Sequence, residues 1–319
     1  MTVLPRWDAL PGDAERCVAA IDAWTAALFD TGVVAAFQNA PLRGPAPGRT
    51  LDALDAFAAA NWDFRGGRER NLARVPDFTA AQLAAIDAST AALGLDGTPP
   101  PSRRHYDAVV MTGGMVRAGI VKPRYLRELA DAGLDWNEGV FLGGFRPFAG
   151  DEVELAPRLG VDGDNEVDAM AAGMRQAFGL AGAPASERSE DGKGAEAWRD
   201  LSWVADGRTL RVVAAPSSEP AVRRANTADT YRFWAGRALD ARSVLVITTP
   251  VYVPYQGAAA IEILGLEFGF SVETVAVSRT ASDLGTDTQQ FLPHHRLQEL
   301  RSAVQGMRNL RSRLTGGCR

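Results

Sequence analysis

From about Tyr106 onward, short apolar runs alternate with stretches of helical periodicity, and this alternation restricts the fold more than any other feature of the chain. The runs are Ala108–Met111, Gly139–Leu142, Leu210–Ala215, Ser243–Thr248 and Val272–Val277. They are continuously apolar rather than alternating, as strands covered on both faces must be. Helical stretches fall between them at Pro123–Ala132, Glu166–Phe178, Thr227–Leu239 and Gly257–Phe268, with Pro123 suited to a first helical position. The pattern predicts an α/β domain: a Rossmann-like parallel sheet of about five strands flanked by helices. Asp206-Gly207, inside Leu201–Val213, marks a hairpin that adds an antiparallel strand at the edge. Ala181–Ala197 is small and polar and reads as a surface loop, and Gln290–Leu314 reads as a charged amphipathic helix closing the chain.

The first hundred residues carry a different pattern, helical throughout. Asp13 is placed to cap a helix running to about Asp30, Thr50 a second through Leu51, Leu54 and Phe57, and Thr79 a third closed by Gly94. A Pro/Gly loop, Pro41–Gly48, separates the first two. The segment Asn61–Asn71, rich in aromatic, Arg and Gly residues, reads either as a solvated loop or as a lid over a ligand crevice. Three consecutive prolines within Gly97–Arg104 end any helix and favour extended geometry. The expected organisation is a helical region over 1–98, a linker over 99–104, and a Rossmann-like domain over 105–319 that includes the terminal helix.

With 319 residues the chain can bury a core without disulfide or metal staples. Its formal charge is −5, which disfavours nucleic acid as a partner. Arginine supplies almost all of the cations, Lys122 and Lys193 being the exceptions. With so much Ala, Gly and Asp, the composition looks like that of a bacterial genome rich in G+C. Cys17 and Cys318 read as unlinked thiols of a reducing compartment, and three histidines without a Cys-x-x-Cys leave no zinc pattern. No signal-peptide pattern opens the sequence and no apolar run is long enough for a membrane helix, so a cytoplasmic protein without a membrane partner is expected.

Ligands of open parallel sheets bind outside the carboxyl ends of the strands. The residues just past the apolar runs are therefore the site candidates: Gly113-Gly114, Gly143-Gly144 followed by Arg146, Pro216–Glu219, and Thr248-Thr249. Paired glycines let a backbone approach a ligand closely and offer amides to an anion. Neither pair makes a Gly-x-Gly-x-x-Gly or a phosphate loop with Gly-Lys-Ser/Thr, which disfavours a standard dinucleotide site or ATPase. Arg117, Arg124 and Arg146 follow these turns, and the guanidinium fork of Arg146 is the best placed to hold an anionic ligand group. Asp151, Glu152, Glu166 and Asp229 lie near helix starts, where acids are also favourable for the helix. Glu166 and Asp229 are candidates for a general base or for a carboxylate that holds a ribose or amino group. Asn226 is placed to cap the helix that follows it and to face the crevice.

Taken in order, the stretches VVMTGGMVRAG, VFLGGFRPF, NEVDAMAAGMRQAFGL, RRANTADTYRFW and VLVITTPVYVPYQGAA resemble the YdcF/ElyC/SanA family over about Tyr106 to Val277. The resemblance implies a Rossmann-like fold and, for the YdcF branch, binding of S-adenosylmethionine or a similar nucleoside. It carries Gly113, Gly114, Gly143, Gly144, Glu166, Asn226 and Asp229 into the ligand site. Where many members have a histidine and then an arginine after the fourth strand, this chain has Tyr252 and Tyr255, so Tyr252 becomes a candidate for stacking or hydrogen bonding to the ligand. The membrane anchor of the ElyC and SanA branches is not expected in this chain, and the helical first hundred residues are not part of the shared pattern.

These readings lead to an expected enzyme that holds a nucleoside or nucleotide-like small molecule, S-adenosylmethionine among the candidates, and transfers a group. Two alternatives stand beside it. One is a non-catalytic metabolite sensor; the other is a magnesium-assisted phosphate hydrolase or phosphotransferase using Asp151, Glu152, Glu166 or Asp229. The oligomeric state is not legible.

Overall fold

A computed structural model describes residues 1–37, 47–64, 66, 75–189, 194–238 and 240–316. The chain divides into two units. The first comprises residues 1–99, 250–262 and 290–319, and the second residues 100–249 and 263–289.

Helices build the first unit: α1 (Asp13–Asp30), α2 (Val33–Ala36), α3 (Pro47–Asn61), α4 (Ala80–Ala92), α9 (Val253–Ala260) and α10 (Pro293–Thr315). Thr79 caps α4 as expected, in a reciprocal box with Gln82. Asp13 does not cap by its side chain; it is the first residue of α1 and accepts the amides of Asp8 and Leu10 from the preceding turn. Thr50 lies inside α3, which starts at Pro47. The C-terminal helix differs most from its expected place, because α10 belongs to the first unit, where it packs on α1, α3, α4 and α9. Arginines along it meet aspartates on those helices: Arg296 with Asp87, Arg308 with Asp52 and Asp55, and Arg311 with Asp22. Cys17 is free and buried within α1, and burial pushes its thiol up to about 11. Cys318, most of the Pro41–Gly48 loop and most of the Asn61–Asn71 segment fall outside the described residues.

A seven-stranded, mostly parallel sheet flanked by helices forms the second unit. Its strands are β1 (His105–Thr112), β2 (Asp135–Gly143), β3 (Ala185–Arg188), β4 (Arg199–Ala205), β5 (Arg208–Ala214), β6 (Ser243–Thr248) and β7 (Ser271–Ala276). They lie in the order β3-β4-β5-β2-β1-β6-β7. All neighbours from β5 to β7 run parallel, while β3 and β4 pair antiparallel. The five predicted strands are thus the parallel ones. Asp206 and Gly207 turn β4 into β5, both with positive φ, as a two-residue hairpin requires. Part of the expected loop Ala181–Ala197 is instead the edge strand β3. All four of its residues are exposed, so no apolar alternation marks it.

The remaining helices are α5 (Val116–Asp131), α6 (Glu152–Arg158), α7 (Glu166–Phe178) and α8 (Thr227–Ala235). The stretch Gly257–Phe268, expected as one helix, is α9 followed by a π-helical segment over Ile261–Glu267. On β2, a side chain at Gly139 would meet Leu126 of α5, whereas the next residue towards the start, Glu138, accepts the indole N–H of Trp234 on α8. Successive residues of a strand point to opposite faces, so α5 and α8 cover opposite faces of the sheet.

Helices α5 and α7 meet backbone to backbone. A Cβ at Gly119 would stand 2.9 Å from Ala169, and one at Gly173 would overlap the carbonyl oxygen of Gly119. Pro123 lies in the middle of α5 rather than at its start. Lacking an N–H, it leaves that same Gly119 carbonyl without its helical donor, and a Cα hydrogen of Gly173 points at the oxygen instead. The crossing therefore needs glycine at both positions. Gly173→Ala should cost about 3 kcal/mol, at the upper end of overpacking penalties, whereas Gly144→Ala, whose Cβ would meet only Ala225 at 3.7 Å, should stay within about 1 kcal/mol of wild type. Urea denaturation of the two variants measures the difference.

Candidate functional site

Strand order reverses once in the parallel sheet. From β1 the chain steps outward to β2 and then β5, and returns to β6 on the other side of β1. Crevices of open sheets form at such switch points, outside the carboxyl ends. Here those ends are Thr112 of β1 and Thr248 of β6, both buried, with the Thr112 hydroxyl donating to that of Thr248 at 3.0 Å. Beneath them sits Lys122 of α5, fully buried, which donates to the carbonyl and the hydroxyl of Thr112 and to the carbonyl of Gly113. Sequence reasoning passed over Lys122. Its one signal was a lysine kept on an apolar helix stretch, Gly119–Pro123, of a chain that otherwise uses arginine.

On the other flank, Thr112 pairs with Leu142 in register, so Gly113 and Gly143 leave the sheet side by side. Glu166, the first residue of α7, lies across both turns. Its Oε1 accepts the amide of Gly114 and its Oε2 the amide of Gly144 at 3.3 Å. Asn165 fixes this placement by capping α7, its Oδ1 accepting the amides of Val167 at 2.9 Å and Asp168. The fit is tight around the first turn. A Cβ at Gly113 would overlap Glu166 and stand 3.0 Å from the carbonyl of Leu142, and one at Gly143 would press on Met170 and Glu166. Burial raises the Glu166 carboxyl above its ordinary proton affinity, against the opposing pull of Arg146, the two glycine amides and Arg224.

Arg146, expected to reach a ligand anion, turns inward. Its Nη1 and Nη2 donate to Glu152 at 2.6 and 2.7 Å, and Nη2 also donates to the Gly114 carbonyl at 3.0 Å. Glu152 is fully buried and accepts the amides of Val116 at 2.8 Å and Ala149 at 3.1 Å as well. It thereby caps α5 and ties the two glycine turns together through Arg146. Arg117 is likewise engaged, with Asp151 and the Asp287 carbonyl, and Arg124 reaches the Asp283 carbonyl.

Asn226 caps α8 as expected, in a reciprocal box with Asp229. Burial alone would raise the Asp229 carboxyl, but Arg223, the Asn226 amide and Ser218 hold it below its ordinary value. Arg223 also binds Glu219 at 2.7 Å and Ser218 at 2.9 Å, so it gathers the loop after β5 into one cluster that sequence reasoning did not foresee. Ala225 of this loop is the neighbour that a Cβ on Gly144 would meet. The structure therefore brings Gly113, Gly114, Gly143, Gly144, Arg146 and Glu166 together. It places Thr248 with Thr112 at the switch point and Thr249 one residue beyond. Tyr252 belongs to the first unit, where its ring meets Phe291 edge to face. Among the described residues, no three His, Cys, Asp or Glu side chains gather as a metal ion would need, and none of the described helices is long and apolar enough to cross a membrane.

Fold and geometry together define the second unit as an α/β domain in which two glycine turns at neighbouring strand ends meet a buried carboxyl. Residues 8–94, within the helical unit, match the family model described as the Rv3785 N-terminal domain. Over most of its length the chain is similar to the uncharacterised proteins Rv3785 of Mycobacterium tuberculosis and Mb3814 of Mycobacterium bovis. Each is 29% identical over 323 residues, covering 93% of this chain and 90% of the relative. No solved structure matches the chain.

Two consequences can be measured. Glu152→Ala would strand the buried Arg146 guanidinium and should destabilise by about 3–5 kcal/mol, read by thermal or urea unfolding. The folded protein holds the Glu166 proton more tightly than the unfolded chain does, so this group's contribution to stability falls as pH rises from the ordinary carboxylate range. Glu166→Gln removes that titration. The stability of wild type relative to Glu166→Gln should therefore decline from mildly acidic to neutral pH, as followed by unfolding curves across the range.

Proposed function

We propose that the second unit binds a nucleoside or nucleotide-like small molecule at the carboxyl ends of β1, β2 and β6 and acts on it by group transfer, with Glu166 as the acid–base group. One observation carries the reading: a buried carboxyl of raised proton affinity, held by two backbone amides at the end of adjacent parallel strands. Burial brings a carboxyl's proton affinity closer to that of the groups it must exchange protons with at neutral pH. Asp229 has the opposite environment. Ionised and held by Arg223, it shapes the loop after β5 rather than moving a proton.

The resemblance to the YdcF branch supports S-adenosylmethionine as the first ligand to try. Lys122, Thr112 and Thr248 supply a polar floor to the crevice, and the amide-lined turns supply its wall. The magnesium reading is less well supported, because two of its proposed ligands are committed to arginines, Glu152 to Arg146 and Asp229 to Arg223.

Denaturing the purified protein and identifying the released small molecules by mass spectrometry tests the reading first. Calorimetry with S-adenosylmethionine, S-adenosylhomocysteine and nucleotides follows. At least one nucleoside-bearing ligand should bind, and Glu166→Gln should lower its turnover at least about a hundredfold. Binding by no such ligand would overturn the proposal.

A further inference from the structure

The two glycine turns have the make-up of an anion site: successive backbone amides at the ends of adjacent strands, free of side chains. Yet both inward amides are already used. Gly114 donates to one oxygen of Glu166 and Gly144 to the other. The carboxyl also fills the space in front of the turns, since a single methyl group at Gly113 would overlap Oε1. Glu166 itself is 8% exposed. The nearby Arg146 fork grips Glu152.

We infer that the turns are an anion site filled from within by Glu166, so that the crevice receives a hydroxyl- or amine-bearing end of its ligand and not a phosphate. The argument is one of occupancy and of hydrogen-bond capacity. A phosphate needs donors, and the two amides that would serve it are taken. A carboxyl oxygen that accepts one amide keeps a second lone pair, and what suits that lone pair is a ligand O–H or N–H. A protonated Glu166 would add one O–H donor at its outer edge, yet the two glycine amides would still be taken. Room for such a group exists beside Gly144, where a Cβ would meet nothing nearer than Ala225 at 3.7 Å. This inference rests on the strand ends being the ligand site, and it narrows the ligand class there to unphosphorylated nucleosides and their amine- or sulfonium-bearing relatives.

The test uses the full-length protein and two probes. Inorganic phosphate is titrated into wild type and into Glu166→Ala while the amide resonances of Gly114 and Gly144 are followed by NMR. Glu166→Ser serves as a second variant should the alanine form fail to fold. In wild type the two amides should not respond to millimolar phosphate; in the variant, with the carboxyl gone, both should shift in a saturable way. Adenosine and its 5′-monophosphate are then compared on wild type by calorimetry, with adenosine expected to bind at least about tenfold more tightly.

Phosphate shifting both amides in wild type, or leaving them unmoved in a folded variant, would overturn the inference. So would a monophosphate that binds wild type as tightly as adenosine and shifts the same two amides. Failure of both adenosine and its monophosphate to bind would count against the nucleoside reading alone, and the phosphate titration would still decide whether Glu166 occupies the turns.

Discussion

The contact between α5 and α7 sets the geometry on which the candidate site depends. Two helices that meet through side chains keep their axes 8–10 Å apart. At Gly119 and Gly173 there are no side chains to keep them apart, and the backbones touch. That closeness brings the first residue of α7 to the end of the sheet, where the short reach of one glutamate spans the turns after β1 and β2. Pro123 belongs to the same device, since it releases the carbonyl that Gly173 approaches. A bulkier crossing would lift Glu166 away from the glycine amides.

Charge in the second unit is arranged so that one carboxyl differs from the others. Glu152 is saturated by a bidentate arginine and two amides, and Asp229 by Arg223 and its own capping box. Both are structural ties: the first joins the glycine turns to α5, and the second folds the loop after β5. Glu166 is as deeply placed, yet backbone amides rather than a bidentate arginine hold it, and burial dominates its proton affinity. The four acids that the sequence groups together thus separate: Asp151 pairs with Arg117, Glu152 and Asp229 are structural ties, and Glu166 is held by backbone amides.

Arginine-rich composition shapes the helical unit in another way. Along α10, Arg296, Arg308 and Arg311 each meet an aspartate on a helix of the first hundred residues. Exposed pairs of this kind add little stability singly, but repeated along one helix they favour one partner and one register. The burial of Leu297, Leu300, Val304, Met307 and Leu310 supplies the larger driving force.

The sequence by itself determined the class of fold. Continuous apolar runs separated by helical stretches left a parallel sheet as the arrangement that covers both faces of every strand, and all five runs proved to be strands of it. It also determined the local devices: the Asp206-Gly207 hairpin, the Thr79 and Asn226 caps, and the meeting of the two glycine turns at neighbouring strand ends. These are short-range consequences of backbone sterics and hydrogen bonding within a few residues. Only the tertiary structure decided what those devices face. Arg146 was legible as a fork beside a turn, but the Glu152 it grips was not, because six residues of separation do not fix the direction of either side chain. Pro123 read as a helix start, since Gly173, whose Cα hydrogen points at the freed carbonyl, lies fifty residues away on α7. The terminal helix read as part of the sheet domain because amphipathic periodicity states that a face is buried and not against what. Partners of buried side chains are set by packing between distant segments, and even residues as near in sequence as Arg146 and Glu152 are aimed at each other by that packing and not by their own stretch.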